Sequence, residues 1–369
     1  MPLSNKLKKI ARNILALNLN VKEKESVMIS AGPNSLDFAE ELAFVASEMG
    51  AHPTIIYGSD KLALRTYKKI KIKYLKHFSE LSEIITKKVN VDIHLDDSDP
   101  FLERQIPQSK IEIRRKAVKP LRELSDRRIV KKDIKSALLG FPTKELARSM
   151  GIPFNKLNRI YWDTMDVNYS NLHERNKLYA RSLFGKDNVR IIGKETNLEF
   201  SIKNRKPNLD SGLWTKSEGG YLNLPAGEVF LAPVETSVNG EIYFDLPNSH
   251  YGMQIKGVWF KFKDGKLIDY SVDKGLDAFE NVYKHASGDK DRIGELGIGT
   301  NPKAKLTGGM IIVDEKVLGT IHMAIGHNKH FGGTNDCTIH WDFFKDMKEN
   351  SIIEVDGKEF MKNGKLTNF

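Results

Sequence analysis

The sequence has a single cysteine and no long apolar run. Cys337 cannot form an intramolecular disulfide, which favours a reducing, cytoplasmic setting. No apolar stretch approaches the roughly 18 residues that are needed to cross a bilayer, so no membrane partner is expected. The 369 residues are 40% hydrophobic and 29% charged, which is an ordinary composition for globular domains with ample cores.

Several common catalytic and nucleotide-binding motifs are also absent. The chain contains neither the H-E-x-x-H pattern of zincin peptidases nor the G-x-S-x-G pattern of α/β-hydrolases. A G-x-G-x-x-G loop would be expected after the first predicted strand of a dinucleotide-binding fold, but the sequence there is AGPNSLD. These three classes of site are therefore not expected.

The formal net charge is +10, and about +7 of it lies in residues 103–135. This segment holds twelve lysines and arginines against five acidic residues. A basic nucleic-acid-associating protein is therefore one alternative. No aromatic residues are interleaved for base stacking, and no known RNA-binding motif is present. We therefore interpret the segment as a solvated helical face and expect no nucleic-acid partner.

The N-terminal half carries strand–helix–strand signals. Residues 26–31 and 53–58 are short apolar runs, and apolar residues recur at helical spacing over 36–49 between them. This order predicts a parallel α/β sheet. A further helical pattern covers 108–138. The expected first domain is an α/β domain, a parallel sheet with helices, formed by residues 1–188.

The pattern then changes to the period of two that is typical of half-buried strands. Four hairpins are predicted: residues 189–203, residues 228–246 with a turn at Asn239-Gly240, residues 258–272 with a turn at Asp264-Gly265, and residues 310–326 with a turn near Asp314–Lys316. Regular hairpins with few helices indicate an antiparallel sheet or barrel. The expected second domain, residues 189–369, is therefore β-rich and of the α+β class.

Histidines and carboxylates accumulate in the last fifth of the chain. Five of them fall within 21 residues: His322, His327, His330, His340 and Asp342. His340 and Asp342 are two apart in a strand-like sequence, so their side chains should share one face. Upstream, Glu228 and Glu295 lie in apolar surroundings, where a carboxylate is costly unless it is paired or binds a metal.

Two glutamates, two histidines and an aspartate form a suitable inventory for a two-metal hydrolase site. Neutral imidazoles and ionised carboxylates suit Zn, Co or Mn. Such sites hold two ions roughly 3.5–4 Å apart and activate a water molecule. We therefore predict a metalloenzyme whose site lies in the second half of the chain.

Three stretches, residues 223–242, 294–326 and 331–342, resemble the thermophilic metallo-aminopeptidase family typified by aminopeptidase T and aminopeptidase S. The resemblance implies a cytoplasmic, usually homodimeric exopeptidase that releases N-terminal amino acids from peptides. It also implies an α/β N-terminal domain and a β-rich catalytic domain with two divalent metal ions. The metal ligands that it implies are Glu228, Glu295, His322, His340 and Asp342.

One position departs from the family pattern. Better-known members have a tyrosine seven residues after the equivalent of His322, where this chain has Lys329 followed by His330. Either His330 substitutes as a ligand or water fills one coordination position.

Four residues are candidates for catalysis. Glu228 and Glu295 are candidates because they would bind the metal ions that take part in catalysis. Glu235 and His330 are the candidates for moving a proton to the leaving amine. For Glu235, the alternative is an exposed strand residue without a catalytic role.

A second enzyme class remains as an alternative. The same C-terminal pattern resembles that of mononuclear iron dioxygenases, which open dihydroxypyridine rings. Two histidines and one carboxylate, here His322, His340 and Asp342, would make their facial triad. The presence of Glu228 and Glu295, both suitable for a second metal, favours the hydrolase.

Overall fold

The computed structural model describes residues 3–215, 221–250 and 253–367. The chain forms two compact units. The first contains Met1–Asp166 and Gly212–Pro225, and the second contains Val167–Ser211 and Ala226–Phe369. The chain therefore enters the second unit well before the boundary that we expected near residue 188.

The described residues form eleven α-helices and nineteen strands. The helices are α1 Asn5–Asn13, α2 Leu36–Glu48, α3 Asp60–Lys69, α4 Ile72–Leu75, α5 Glu80–Lys88, α6 Gln108–Lys131, α7 Lys144–Ser149, α8 Phe154–Met165, α9 Tyr169–Leu183, α10 Leu276–His285 and α11 Ile311–Asp314. The strands are β1 Ser26–Ala31, β2 His52–Tyr57, β3 Val91–Asp96, β4 Lys135–Gly140, β5 Asn188–Gly193, β6 Thr196–Ser201, β7 Asn208–Asp210, β8 Tyr221–Leu224, β9 Glu228–Leu231, β10 Asn239–Phe244, β11 Asn248–His250, β12 Met253–Lys263, β13 Lys266–Lys274, β14 Ile293–Gly299, β15 Thr320–Gly326, β16 His340–Asp346, β17 Ile352–Val355, β18 Lys358–Lys362 and β19 Lys365–Leu366. None of the described helices is long and apolar enough to cross a membrane.

The first unit is built on a parallel sheet of five strands in the order β2-β1-β3-β4-β8. Helix α2 packs on β1 and β2 and buries Phe38, Leu42 and Val45. It ends before Gly50, whose φ of +74° favours glycine. The predicted parallel α/β region is therefore confirmed.

One helix of this unit is shorter than we predicted. The helical pattern over 108–138 ends at Lys131, and Lys132 follows with a φ of +59°. Residues Lys135–Gly140 instead form β4, which lies between β3 and β8 and buries Ala137 and Leu139. Long-range pairing with two parallel neighbours therefore overrides the local helical pattern.

Basic residues of α6 bind carbonyl groups within the same unit. Lys110 Nζ donates to the Tyr67 carbonyl at 2.5 Å, and Arg128 Nη1 donates to the Thr86 carbonyl at 2.9 Å. Both acceptors lie in the α3–α5 segment, so part of the excess positive charge joins elements of the fold. Lys110 and Arg128 therefore bind other elements of the fold and do not form only the solvated face that we expected.

The second unit contains two antiparallel sheets. One has nine strands, ordered β11-β12-β10-β6-β5-β17-β18-β19, with β13 paired to β12. The other has five strands, ordered β16-β15-β14-β9-β7. Apolar side chains from both sheets form one core, in which Phe260, Phe279, Trp341 and Phe343 are fully buried. The predicted β-rich character of the second half is confirmed.

Helix α9 accounts for the early entry of the chain into this unit. Its Asn176 side chain donates to the carbonyl groups of Asp210 and Glu228 at 3.1 and 3.0 Å. These bonds fix α9 to strands β7 and β9. The helix therefore belongs with the sheet that it contacts, although its sequence continues the helical pattern of the first half.

Two of the four predicted hairpins are confirmed, β5–β6 and β12–β13. The prediction of a hairpin over 228–246 is wrong, because β9 and β10 belong to different sheets and Asn239-Gly240 starts β10. A Cβ on Gly240 would lie 2.1 Å from the Asn197 carbonyl oxygen. Glycine is needed there for close strand approach and not for a turn.

The prediction of a hairpin over 310–326 is also wrong. Only Thr320–Gly326 is a strand, and Ile311–Asp314 forms the short helix α11. The buried carboxylate of Asp314 accepts bonds from the backbone of Thr307, Gly308 and Gly309 and from the Thr307 hydroxyl, at 2.6–3.1 Å. These bonds compete with strand pairing and hold the segment as a compact turn.

We predict that Phe260→Ala lowers the free energy of unfolding of the second unit by about 3–5 kcal/mol, because it leaves a cavity in the core. The Phe260 ring lies 5.0–6.1 Å from the rings of four other phenylalanines. Urea unfolding followed by circular dichroism would measure the loss. Ile268→Ala, at a position that is 55% exposed, is the control and should change stability by about 0.5 kcal/mol or less. Equal effects of the two variants would contradict the assigned core.

Candidate metal centre

The five-stranded sheet of the second unit has one apolar and one polar face. Residues directly opposite each other on antiparallel strands share a face. The pairing aligns the following residues on the polar face: Asp210 with Glu228, Glu228 with Gly299, Gly297 with His322, Glu295 with Ala324, Ala324 with Asp342, and Gly326 with His340. The alternate residues, such as Leu296, Met323 and Phe343, enter the core. The period of two thus separates the core from the candidate site.

Glu295 lies at the centre of the polar face. Its Oε1 is 3.4 Å from His322 Nε2, and its Oε2 is 3.1 Å from His340 Nε2. Glu228 Oε2 is 3.4 Å from the same nitrogen of His322. Asp342 Oδ1 is 3.4 Å from His340 Nε2. The structure therefore brings all five predicted ligands together, in two groups that share Glu295.

The chemistry of each group fits a divalent cation. Carboxylate and imidazole atoms are the ligands that first-row divalent metals prefer. Within each group, the ligand atoms all lie within 4.8 Å of one another. Among the described residues, Glu228 Oε2 is buried and has no hydrogen-bond partner. A buried carboxylate oxygen that has no hydrogen-bond partner and faces an imidazole nitrogen fits the role of a cation ligand.

Burial and mutual charge shift the pKa values in this cluster. Burial raises the pKa of Glu228 to about 8, against the opposing charge of Lys316. Burial also acts to raise the pKa of Glu295, but its bonds with the two imidazoles lower it to about 2. Burial acts to lower the pKa of His322, but Glu295 and the charge of Glu228 raise it to about 9. The surrounding carboxylates therefore favour a positive charge at His322.

Gly297 makes room for one of the imidazoles. It lies directly opposite His322, and a Cβ at this position would be 2.0 Å from His322 Nε2. This residue could not be predicted, because the strand pairing that places it opposite His322 is not visible in the sequence. The glycines around Glu295 in the sequence GELGIG were the available signal.

His340 and Asp342 are held by contacts behind the polar face. His340 Nδ1 lies 2.8 Å from the His327 carbonyl oxygen, which suits a donated N–H and leaves Nε2 to face Glu295. The Asn248 side-chain amide donates to the Asp342 carbonyl group. With 29% of its side chain exposed, His340 is the most accessible of the five ligands.

Lys316 is a charged neighbour that the sequence analysis placed in a turn. Its side chain is fully buried, and its Nζ lies 2.7 Å from Glu228 Oε1 and 2.8 Å from both Asp210 Oδ2 and Glu315 Oε1. Burial acts to lower the pKa of Lys316, but the three carboxylates raise it well above its usual value. The ammonium group therefore stays charged.

Glu235 lies outside both metal-binding groups. Its Oε2 accepts from Arg205 Nη2 at 2.5 Å, and its Oε1 accepts from Asn328 Nδ2 at 3.1 Å and the Thr334 N–H at 2.7 Å. Burial acts to raise its pKa, but these bonds lower it. The carboxylate thus fixes the segment 328–334 beside the site.

His330 also lies outside both groups and is carried by that segment. Its ring lies 5.0 Å from the ring of His327, measured between centroids. Phe331 follows it and packs edge-on against His340, with centroids 5.3 Å apart. Lys329, at the position of the family's tyrosine, forms an ion pair with Asp336 at 2.6 Å.

Residues 3–366 match the family described as thermophilic metalloprotease (M29). The chain belongs to this family. It is 22% identical over 409 aligned positions to "Aminopeptidase AmpS" of Bacillus subtilis (strain 168), an alignment that covers 98% of each chain.

Solved structures resemble the whole fold. The structure of wild-type AmpT from Thermus thermophilus superposes with a TM-score of 0.78 at 19% identity, covering 98% of this chain and 99% of that one. The 2,5-dihydroxypyridine dioxygenase from Pseudomonas putida KT2440 superposes with a TM-score of 0.65 at 13% identity, covering 100% and 99%. At these identities, the likeness establishes the fold alone. The predicted family and the predicted enzyme class, a hydrolase of the metallo-aminopeptidase type, are confirmed by the family match.

We predict that Gly297→Ala reduces the metal content of the protein while leaving its fold intact, because the new methyl group would displace His322. Elemental analysis after dialysis and circular dichroism would measure the two properties. Gly58→Ala, which adds a methyl group with nothing within 4 Å, is the matched control. Normal metal content in Gly297→Ala would show that His322 does not need its present position.

Proposed function

We propose that this family member is an aminopeptidase that binds two divalent cations, Zn, Co or Mn, and releases N-terminal amino acids from peptides. The observation that carries the proposal is the position of Glu295, whose two oxygens face two different groups of ligands. A carboxylate shared in this way suits two neighbouring cations. The first group adds Glu228 and His322, and the second adds His340 and Asp342.

Charge balance supports the same number of cations. The cluster has one buried ammonium group, Lys316, and five carboxylates: Asp210, Glu228, Glu295, Glu315 and Asp342. With neutral imidazoles and all five carboxyl groups ionised, as cation binding requires of its ligands, the formal charge of these groups is −4. Buried charge of this size requires compensation, which two divalent cations would supply.

In this proposal, Glu228, Glu295, His322, His340 and Asp342 would hold the cations, which would supply polarisation of the scissile carbonyl group and an activated water molecule. The five ligands hold them on a rigid sheet, so that the reacting groups are positioned in advance. Phe331 and Phe230, whose ring centroids lie 5.6 Å apart, form an apolar wall beside His340. This wall would exclude bulk water from the reacting bond.

His330 is the residue that we propose for proton transfer to the leaving amine. It belongs to the same short turn as Phe331, which contacts His340. Both carboxylate oxygens of the other candidate, Glu235, already bind Arg205, Asn328 and Thr334. We therefore propose that Glu235 holds the segment in place and does not carry the proton.

The dioxygenase alternative is less well supported. It needs His322, His340 and Asp342 around one iron ion. Among the described residues, His322 groups with Glu228 and Glu295, whereas His340 and Asp342 group on the other side of Glu295. One iron ion per chain and oxygen uptake with dihydroxypyridine would reverse this choice.

The remaining proposals come from the family resemblance alone. We propose that the enzyme acts in the cytoplasm on peptides and that it is a homodimer. Sedimentation velocity would test the dimer, and a single species of about 42 kDa, the mass of one chain, would contradict it.

We predict that Glu295→Gln weakens the binding of both cations, whereas His340→Ala weakens only one of them. Both variants should lose hydrolysis of aminoacyl-anilides while keeping the fold. Elemental analysis and anilide hydrolysis with added Co²⁺, Zn²⁺ or Mn²⁺ would measure these effects. Glu199→Gln, an exposed carboxylate of β6, should behave like the parent. Anilide hydrolysis by His340→Ala would contradict the site assignment.

We predict that His330→Ala lowers kcat about 100-fold or more while both cations remain bound, because only the proton carrier is lost. Lys329→Ala changes the preceding residue of the same turn and should retain most of the activity. Steady-state kinetics with matched metal analyses would separate the two variants. An unchanged kcat in His330→Ala would remove this residue from the mechanism.

A further inference from the structure

We infer that Lys316 is a positioning residue for the metal centre, because it holds one oxygen of Glu228 and thereby directs the other oxygen at a cation. The inference rests on the proposed two-cation function. It assigns a role to a side chain that is not itself a ligand.

The ammonium group of Lys316 is fixed by three ion pairs, and those with Asp210 and Glu228 are also hydrogen bonds. Its Nζ has three N–H donors, and it meets three carboxylate oxygens, on Asp210, Glu228 and Glu315, at 2.7–2.8 Å. The side chain is 0% exposed, so water does not compete for these bonds. Lys316 therefore presents a rigid, charged anchor to Glu228.

The two oxygens of Glu228 then have different tasks. Oε1 binds Lys316 at 2.7 Å. Oε2 has no hydrogen-bond partner among the described residues and faces His322 Nε2 at 3.4 Å. A bond to one oxygen fixes the rotation of the carboxylate and leaves the other oxygen to bind metal. Glu228 should therefore bind its cation through Oε2 alone.

The backbone around Lys316 is fastened close to β9, the strand that starts at Glu228. The Lys316 carbonyl accepts from the Asn301 N–H at 2.9 Å, and the Asn301 side chain donates to the Ala226 carbonyl at 2.8 Å. Asp314 holds the preceding turn through its bonds to residues 307–309. The segment thus holds Lys316 in a fixed position beside Glu228, whereas a lysine at the surface would be flexible.

Lys345 offers a matched control within the same unit. It is also buried, with 1% exposure, but its Nζ donates to the carbonyl groups of Lys194 and Tyr243 at 3.2 and 2.9 Å. Burial lowers the pKa of Lys345, in contrast to that of Lys316. Its replacement should cost stability without touching a metal ligand.

The test compares Lys316→Met with Lys345→Met. Metal-free proteins are titrated with Zn²⁺ or Mn²⁺ in a calorimeter, and the parent should bind two cations per chain. In Lys316→Met, one cation should bind about 10–100-fold more weakly, the usual effect of losing a partner of a ligand, while the other keeps its affinity. Lys345→Met should bind both cations as the parent does. Parent-like binding of both cations in Lys316→Met would overturn the inference and leave the proposed function standing.

A second measurement does not depend on whether the variant folds. A crystal structure of the metal-loaded parent should show Glu228 bound to its cation through one oxygen, with the other within hydrogen-bond distance of Lys316 Nζ. Both Glu228 oxygens on the cation would overturn the inference. Fewer than two cations in the parent would instead overturn the proposed function, on which the inference rests.

Discussion

The second unit depends on buried carboxylates that cannot be left without partners. Glu228 and Glu295 are 4% and 5% exposed, on the polar face of a sheet whose other face is the core. An isolated buried carboxylate is very costly, so cationic groups must lie within reach. One of these groups is Lys316, and the imidazoles are the others. Strand pairing, the glycine opposite His322 and the turn that carries Lys316 all serve to place them.

Glu295 and the charge of Glu228 raise the pKa of His322, so the carboxylates favour a positive charge at this imidazole. A proton and a cation compete for the same imidazole nitrogen beside Glu295. A cation must therefore displace a proton from each imidazole that it binds. Lys316 is different, because no cation needs its position and its charge is present in either state. The permanent charge of Lys316 thus positions Glu228, while a proton on an imidazole can be exchanged for a metal ion.

Much of this site could be predicted from residue types and strand phase. The spacing of His340 and Asp342 placed both on one face, and the apolar setting of Glu295 indicated a carboxylate with a special partner. The role of Lys316 could not be predicted in this way, because Glu228 lies 88 residues away and the local sequence DEK is typical of a turn. Gly297 likewise gains its meaning only from a long-range strand register.

The fold shows the same division between local and long-range information. The βαβ unit and the Asp264-Gly265 hairpin follow from short sequence patterns, and both formed as predicted. Strand β8 joins the parallel sheet from a distant part of the chain, and Asn239-Gly240 serves close packing of strands. Such features depend on partners that a local pattern does not specify. At the position of the family's tyrosine, the ammonium group of Lys329 pairs with Asp336. Because Lys329 pairs with Asp336, the proposed metal centre draws its ligands from the five sheet residues and not from this position.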